Sequence, residues 1–229
     1  MMVENPPKRR VVCQRALGIL AAGVLLAGTR MPANDPPPAT PANVTYTKVL
    51  KGSTPEYLSI TVNSSGEALY DGRKLDDPPA PRALKLTGAT THRIFDLTAA
   101  LGYFNSVDLE SHKKVANLGQ KSFTYEAGKI RHQAEFNYTV RRDAQELTDV
   151  FEKIASVAQH ISTLEYSIKY DHLSLPKQLR QIQDDLEKRA LADPVLMAPT
   201  LEKIVRNPRF LHLAQSRAQD ILERLHNGN

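Results

Sequence analysis

The chain is nearly free of cysteine, which excludes several ways of making a stable or reactive protein. Its one cysteine, Cys13, lies near the start of the 229-residue sequence, ahead of an apolar run. The rest of the chain can form neither a disulfide nor a thiolate metal site, and it has no thiol nucleophile. A folded body made from it must therefore rely on its apolar core. A lipid-acceptor cysteine would follow the apolar run, so Cys13 does not indicate a lipoprotein.

Motifs of the common enzyme folds are missing as well. The sequence has no Gly-x-Ser-x-Gly nucleophile motif and no glycine-rich phosphate loop. It has no tryptophan, and no segment recurs at a fixed period. These absences leave no local reason to assign a catalytic residue or a cofactor, and we expect none.

Positive charge is concentrated ahead of the apolar run. Four basic residues between Lys8 and Arg15 precede Ala16–Gly28, a stretch of thirteen residues without charge. This order is typical of a secretory signal peptide, and the stretch is short for a bilayer span. We expect residues 1–29 to be a signal peptide that delivers the protein to the periplasm or the extracellular space. The alternative is an uncleaved N-terminal anchor in the inner membrane, with the folded part facing the periplasm.

The basic residues of this leader account for most of the excess positive charge. The whole chain has a formal charge of +5. Removing residues 1–29 leaves about +2, too little for a general nucleic-acid binder, which needs a basic patch that releases counterions. We therefore expect no nucleic-acid partner, and contact with a membrane only through an uncleaved N-terminal segment.

After the leader, the pattern of the chain changes three times. Residues 30–43 form a Pro-rich linker. Residues 44–170 combine two-residue alternation with one long helical stripe, and residues 171–229 carry helical patterns only. This organisation predicts an α+β domain followed by a C-terminal helical region. We expect an antiparallel sheet of four or five strands with helices on one face, followed by a small helical bundle.

The strands are predicted from alternating apolar residues. Residues 58–63 alternate, and the turn signal Ser64–Glu67 leads into a returning segment at 68–70, so we expect a hairpin. Residues 83–87 form a weaker candidate strand. Residues 122–126 and 130–138 alternate on either side of a Gly128-Lys129 turn, which predicts a second hairpin.

The helices are predicted from start signals and apolar stripes. Thr90 or Thr91 can cap a helix that runs to about Leu101, and Gly102 follows as a stop. A long stripe covers residues 141–170. Later helices are expected at Ser174 or Leu175, after Asp193-Pro194 as an N-cap with proline in the first turn, and after Asn207-Pro208.

Four residues are weak candidates for a metal or acid–base site. His92 and Asp96 are four positions apart on the predicted first helix and share a face. Two ligands do not make a site, so His112 and His132 would have to join them from elsewhere. The alternative is a solvent-facing His–Asp pair, with His132 placed at the margin of the sheet. Seven of the eight tyrosines are also spread along the chain, a pattern typical of half-buried sheet margins or of a recognition surface: Tyr57, Tyr70, Tyr103, Tyr125, Tyr138, Tyr166 and Tyr170.

The stretch ITVNSSGEALYDG carries a Gly-x-x-x-Tyr-x-Gly hairpin formed by Gly66, Tyr70 and Gly72. With the capped helix, the second hairpin and the closing helix, it resembles an uncharacterised domain family of unknown function in bacterial exported proteins. The C-terminal segment is similar to the tails of uncharacterised envelope proteins from soil bacteria. The resemblance covers about residues 55–226. It implies an α+β fold and an envelope location, and it implies no catalytic residues.

These observations favour a non-enzymatic module that binds another envelope protein or a peptide. An exposed sheet edge could take up a partner strand. The alternative is a metal-dependent or general acid–base hydrolase built from His92, Asp96, His112 and His132.

Overall fold

One antiparallel sheet of six strands organises the first half of the described chain. The computed structural model describes residues 41–227. The expected signal peptide and most of the expected linker lie outside the described residues. The strand order is β4-β3-β2-β1-β5-β6. The strands are β1 (Asn43–Val49), β2 (Tyr57–Asn63), β3 (Glu67–Arg73), β4 (Arg82–Lys85), β5 (Gln120–Ala127) and β6 (Ile130–Phe136).

The predicted α+β class is confirmed, and the sheet has one strand more than the upper end of the predicted count. The strand that sequence reasoning missed is β1, which pairs with both β2 and β5 and so joins the two predicted hairpins into one sheet. Val44 and Tyr46 point into the core from this strand, but Lys48 occupies the next inward position. That lysine interrupts the apolar alternation on which the prediction depended.

Residues 41–227 also form five α-helices. They are α1 (Gly88–Ala100), α2 (Arg142–Tyr170), α3 (Leu175–Glu187), α4 (Ala198–Arg206) and α5 (His212–His226). The long α2 agrees with the predicted 141–170 stripe to within a residue, and α3 begins where it was predicted.

Two predicted helix starts were wrong, and a third was only partly right. Helix α1 is capped by Thr87, three or four residues before the predicted Thr90 or Thr91, and the Thr87 hydroxyl accepts a hydrogen bond from the Thr90 backbone N–H. Asp193, which has a left-handed backbone (φ 56°), is the N-cap residue of a short 3₁₀ turn, Pro194–Met197, with proline in its first turn as predicted, but the Asp193 side chain makes no capping hydrogen bond there. The last helix begins at His212, with Leu211 as its N-cap residue, because Asn207 instead accepts from the Arg209 N–H within a turn.

The Asp193 side chain binds at the start of a different helix, α1. Its carboxylate accepts from the Thr87 backbone N–H at 2.7 Å, from the Thr87 hydroxyl at 2.6 Å and from the Thr90 hydroxyl at 2.8 Å. The carboxylate therefore sits at the N-terminus of α1, where the helix dipole favours negative charge. This contact ties the first helix of the α+β part to the segment between α3 and α4.

Two apolar clusters share helix α2. One cluster joins the inner face of the sheet to α1 and to the first half of α2, where Phe151 stacks on Tyr46 at 5.3 Å between ring centroids. The other joins α3, α4 and α5 to the second half of α2 through Val157, Ile161 and Leu164. Leu196 packs against both clusters. Within residues 41–227, no helix combines the length and the apolar character needed to span a bilayer.

We predict that Asp193→Ala destabilises the fold by about 2–3 kcal/mol. The substitution removes the acceptor for three hydrogen bonds and leaves the half-buried Thr87 backbone N–H without this partner. Urea unfolding of the full chain measures the loss. Asp193→Asn keeps a side-chain oxygen and tolerates the left-handed backbone, so its loss should be clearly smaller. Equal stability of the parent and Asp193→Ala would show that these hydrogen bonds contribute nothing to the free energy of unfolding.

Candidate functional site

Helix α2 packs on the inner face of the sheet and crosses it near one end of the strands. The antiparallel register brings the ends of β1, β3 and β6 to the same side as the starts of β2 and β5. Lys48 near the end of β1 pairs with Lys121 at the start of β5, and Lys121 pairs with Phe136 at the end of β6. Side chains from these strand ends and from α2 line two clefts, one near each end of the helix.

The first cleft, which we call the lysine cleft, has a volume of about 500 Å³. Its centre is an ion pair between Lys48 Nζ and Glu152 Oε1 at 2.8 Å, and the Tyr46 hydroxyl donates to the same carboxylate oxygen at 3.0 Å. These two bonds fix the end of β1 against α2. The apolar part of the wall comes from Leu50, Leu118, Phe136 and Tyr138.

Lys121 also lines the lysine cleft, and it binds the backbone on both sides of it. Its ammonium donates to the carbonyl oxygens of Leu118 at 3.0 Å, Gly119 at 3.3 Å and Asn137 at 2.9 Å. Burial lowers the pKa of Lys121, and the nearby Lys48 charge lowers it further. Because its ammonium group donates to three backbone carbonyls, this lysine links the 118–119 loop to the residue that follows β6. Its position two residues before Phe123, on the apolar side of the strand, was the sequence signal that could have found it.

The second cleft, which we call the tyrosine cleft, has a volume of about 530 Å³. It lies between the β1–β2 loop, the end of β3 and α2. The Tyr70 ring folds back over Gly72, and a Cβ at Gly72 would collide with the Tyr70 hydroxyl. Burial raises the pKa of Tyr70 to about 12, and a hydrogen bond with Gln159 of α2 acts in the opposite direction.

The residues of the Gly-x-x-x-Tyr-x-Gly hairpin thus have defined packing roles. Gly66 has a left-handed backbone (φ 85°) in the β2–β3 turn, and a Cβ there would press on Thr91 of α1. Gly72 leaves room for Tyr70, which separates the core from the cleft. The motif is therefore explained by packing at the edge of the tyrosine cleft.

Charged groups at the mouth of the tyrosine cleft are fixed by the neighbouring loops. Glu56 accepts from the backbone N–H of Gly52 at 2.8 Å and of Leu75 at 3.2 Å, and the Gly52 bond is the main reason that the Glu56 pKa is lowered. Arg73 donates to Asp71 at 3.0 Å and lies over the Tyr57 ring at 4.4 Å.

A third cleft, the histidine cleft, lies between α2 and α3 and has a volume of about 350 Å³. Gln159 and Thr163 line both this cleft and the tyrosine cleft, so the two adjoin across α2. His160 Nε2 lies 3.0 Å from Asp185 Oδ2, and Gln181 donates to the other carboxylate oxygen at 3.0 Å. Sequence reasoning missed this pair because its members lie on different helices, 25 residues apart.

The four residues proposed from sequence as weak metal or acid–base candidates do not form a cluster. His92 and Asp96 are exposed on α1. His112 pairs with Asp108 at 2.7 Å in an exposed loop, and His132 contacts the Tyr103 carbonyl oxygen at 3.2 Å. Among residues 41–227, no three His, Cys, Asp or Glu side chains converge so that they could hold a metal ion.

Comparison with known proteins adds no family. A scan against protein-family models found no match, and a search of curated proteins found no matching protein. The resemblance described from the sequence therefore stays an expectation.

We predict that Tyr46→Phe flattens the alkaline loss of stability. Burial, reinforced by the Glu152 carboxylate, raises the pKa of the Tyr46 phenol far above its usual value of about 10. The unfolded chain releases this proton near pH 10 while the folded protein keeps it. The stabilising contribution is therefore complete below about pH 10 and declines above it, by about 1.4 kcal/mol per pH unit.

Urea unfolding from about pH 9 to about pH 11 measures this slope. Tyr46→Phe should lose less stability across the range than the parent, because Phe has no proton to release. Tyr166→Phe, which removes an exposed phenol from α2, is the matched control. Identical slopes for the parent and Tyr46→Phe would contradict the assignment.

Proposed function

We propose that the protein is a non-enzymatic binding module that holds an extended polypeptide segment along helix α2. The supporting observation is that the lysine cleft and the tyrosine cleft follow one another on the same helix. Their α2 lining runs from Gln145 to Thr163. At 1.5 Å per residue this is about 27 Å of helix. A chain in β conformation covers that length with about eight residues.

The lining chemistry suits a polypeptide backbone. Around Gln159 and Thr163, α2 presents amide and hydroxyl groups with few charges, and α3 adds Gln178 and Gln181 across the histidine cleft. A glutamine side chain carries both a donor and an acceptor, so it can pair with a peptide group in either orientation. Leu50, Leu118 and Phe136 in the lysine cleft offer apolar contact for side chains.

The chain itself borders one end of this groove. It passes from the end of β6 to the start of α2, and residues 137–141 make that crossing. Asn137, Tyr138 and Thr139 accordingly line the lysine cleft. A ligand seated there would extend along α2 toward the tyrosine cleft.

The sheet edges support strand addition less well. Strand β4 has only four residues, and Pro81 directly precedes it. Strand β6, at the other edge, exposes Arg131 and Glu135. Short edges, proline and charged side chains are features that oppose pairing with another strand. The groove along α2 is therefore the better candidate surface.

The partner we propose is another envelope protein or a peptide. This part of the proposal rests on the leader-like residues 1–29 and not on the folded part. The alternative, a hydrolase built from His92, Asp96, His112 and His132, finds no support in the placement of those side chains. His92 and Asp96 share α1, but His112 lies in a loop and His132 lies on β6.

We predict that Thr163→Arg strongly weakens peptide capture. Thr163 is exposed between the tyrosine and histidine clefts, so an arginine there fills the groove and adds charge. The full chain is used to select phage that display random linear peptides, and the affinity of enriched peptides is measured by calorimetry. We expect the affinity to fall at least tenfold.

The control is Ser216→Arg, which makes a similar change at an exposed position of α5 that lines none of the three clefts. It should bind as the parent does, and both variants should unfold at the same temperature as the parent. The proposal is wrong if no peptide is enriched, or if Thr163→Arg binds the enriched peptides as tightly as Ser216→Arg.

A further inference from the structure

A second surface lies where α2 ends and α5 begins. Large apolar side chains are exposed there on two neighbouring segments. Tyr166, Tyr170 and Leu173 are 61%, 62% and 78% exposed, and Leu211 and Leu213 are about half exposed. Soluble proteins rarely expose several such side chains together unless the surface has a partner.

Two contacts hold this surface together. The Tyr166 and Tyr170 rings lie 5.1 Å apart, one helical turn from each other. The His172 ring meets the buried Phe210 edge-on at 4.9 Å, which places Leu173 and Leu211, the residues next to them, on neighbouring segments. We call the exposed side chains of residues 166–173 and 211–213 the aromatic end.

The aromatic end carries more positive than negative charge. Lys169 Nζ lies over the Tyr170 ring at 4.8 Å, and Lys177 and Arg209 are exposed close by along the chain. Asp171 is the one carboxylate within residues 166–173 and 209–213. None of these four charged groups takes part in an ion pair formed within residues 41–227. The cations are therefore available to an anionic partner.

We propose that the aromatic end docks on an anionic lipid surface. Tyrosine places an apolar ring and a polar tip at the boundary between hydrocarbon and headgroups, and lysine extends its ammonium toward phosphate above buried methylenes. Exposed leucines beside them supply the apolar part that enters the bilayer. Cations near a negative lipid surface add attraction that salt weakens.

A second copy of the chain fits this surface less well. In a two-fold symmetric contact the same patch faces itself, so Lys169, Lys177 and Arg209 would meet their own counterparts. Like charges brought together in this way oppose association. The charge of the patch thus favours a partner of opposite sign. This inference goes beyond the proposed peptide binding and does not depend on it.

The test uses the absence of tryptophan from the chain. Leu173→Trp places a single fluorescent reporter at the most exposed position of the aromatic end. Vesicles of phosphatidylcholine with phosphatidylglycerol are added to the full chain, and brominated lipid serves as a quencher. We expect the emission to shift to the blue and to be quenched. Vesicles of phosphatidylcholine alone should give a much smaller shift.

The matched control is Leu69→Trp. Leu69 is 52% exposed on β3, on the face of the sheet opposite to the one that packs against α2. Because residues 16–28 are apolar enough to attach the full chain to a vesicle, attachment alone is not evidence. Only the reporter in contact with lipid should shift, so Leu69→Trp should stay unchanged. Tyr170→Trp is a second reporter in case Leu173→Trp alters the local fold.

Charge is tested with Lys169→Gln in the Leu173→Trp protein. Removing one lysine near an anionic surface should raise the lipid concentration at half-maximal shift by about fivefold. The proposal is overturned if neither reporter at the aromatic end responds to anionic vesicles, or if Leu69→Trp responds equally. It is also overturned if the shift appears without vesicles and grows with protein concentration, since a second copy would then occupy the surface.

Discussion

The structure depends on helix α2 being buried on two sides at once. Tyr46 and Phe123 of the sheet pack against Phe151 in its first half, while α3, α4 and α5 pack against Val157, Ile161 and Leu164 in its second half. Neither apolar cluster could be closed without this helix. Because both clusters fix the same 29-residue helix, its remaining faces hold a constant position relative to the sheet end and to α3. That constancy is what allows separate clefts along α2 to act as one groove.

The polar residues in the groove are not needed for the core, yet several are fixed in place. The Glu152 carboxylate accepts hydrogen bonds from both the Tyr46 hydroxyl and the Lys48 ammonium, so it cannot rotate freely. Asp185 is held by Gln181 and in turn orients His160. Side chains that are already oriented lose little conformational entropy when a ligand binds. The groove therefore has the preorganisation expected of a binding surface. The exposed Thr163 hydroxyl is placed where it can form a hydrogen bond with a ligand.

The fold could be predicted where local pattern and tertiary packing agree. The stripe of α2 and the β5–β6 hairpin were predicted within a few residues, because each buries one regular face. Strand β1 was missed since Lys48 breaks its inner face, and Glu152, its partner, is 104 residues away. The side-chain role of Asp193 was missed for the same reason: Thr87, to which its carboxylate is bonded, is 106 residues distant. The histidine cleft was likewise invisible, because no local spacing relates His160 to Asp185.

The groove and the aromatic end lie on one helix, and this constrains how they could work together. The α2 lining of the groove ends at Thr163, and the aromatic end begins at Tyr166, about 5 Å further along the axis. The other end of the groove, bordered by residues 137–141, lies at the start of α2. Docking of the aromatic end on lipid would therefore place the tyrosine-cleft end of the groove nearer the membrane than the lysine-cleft end.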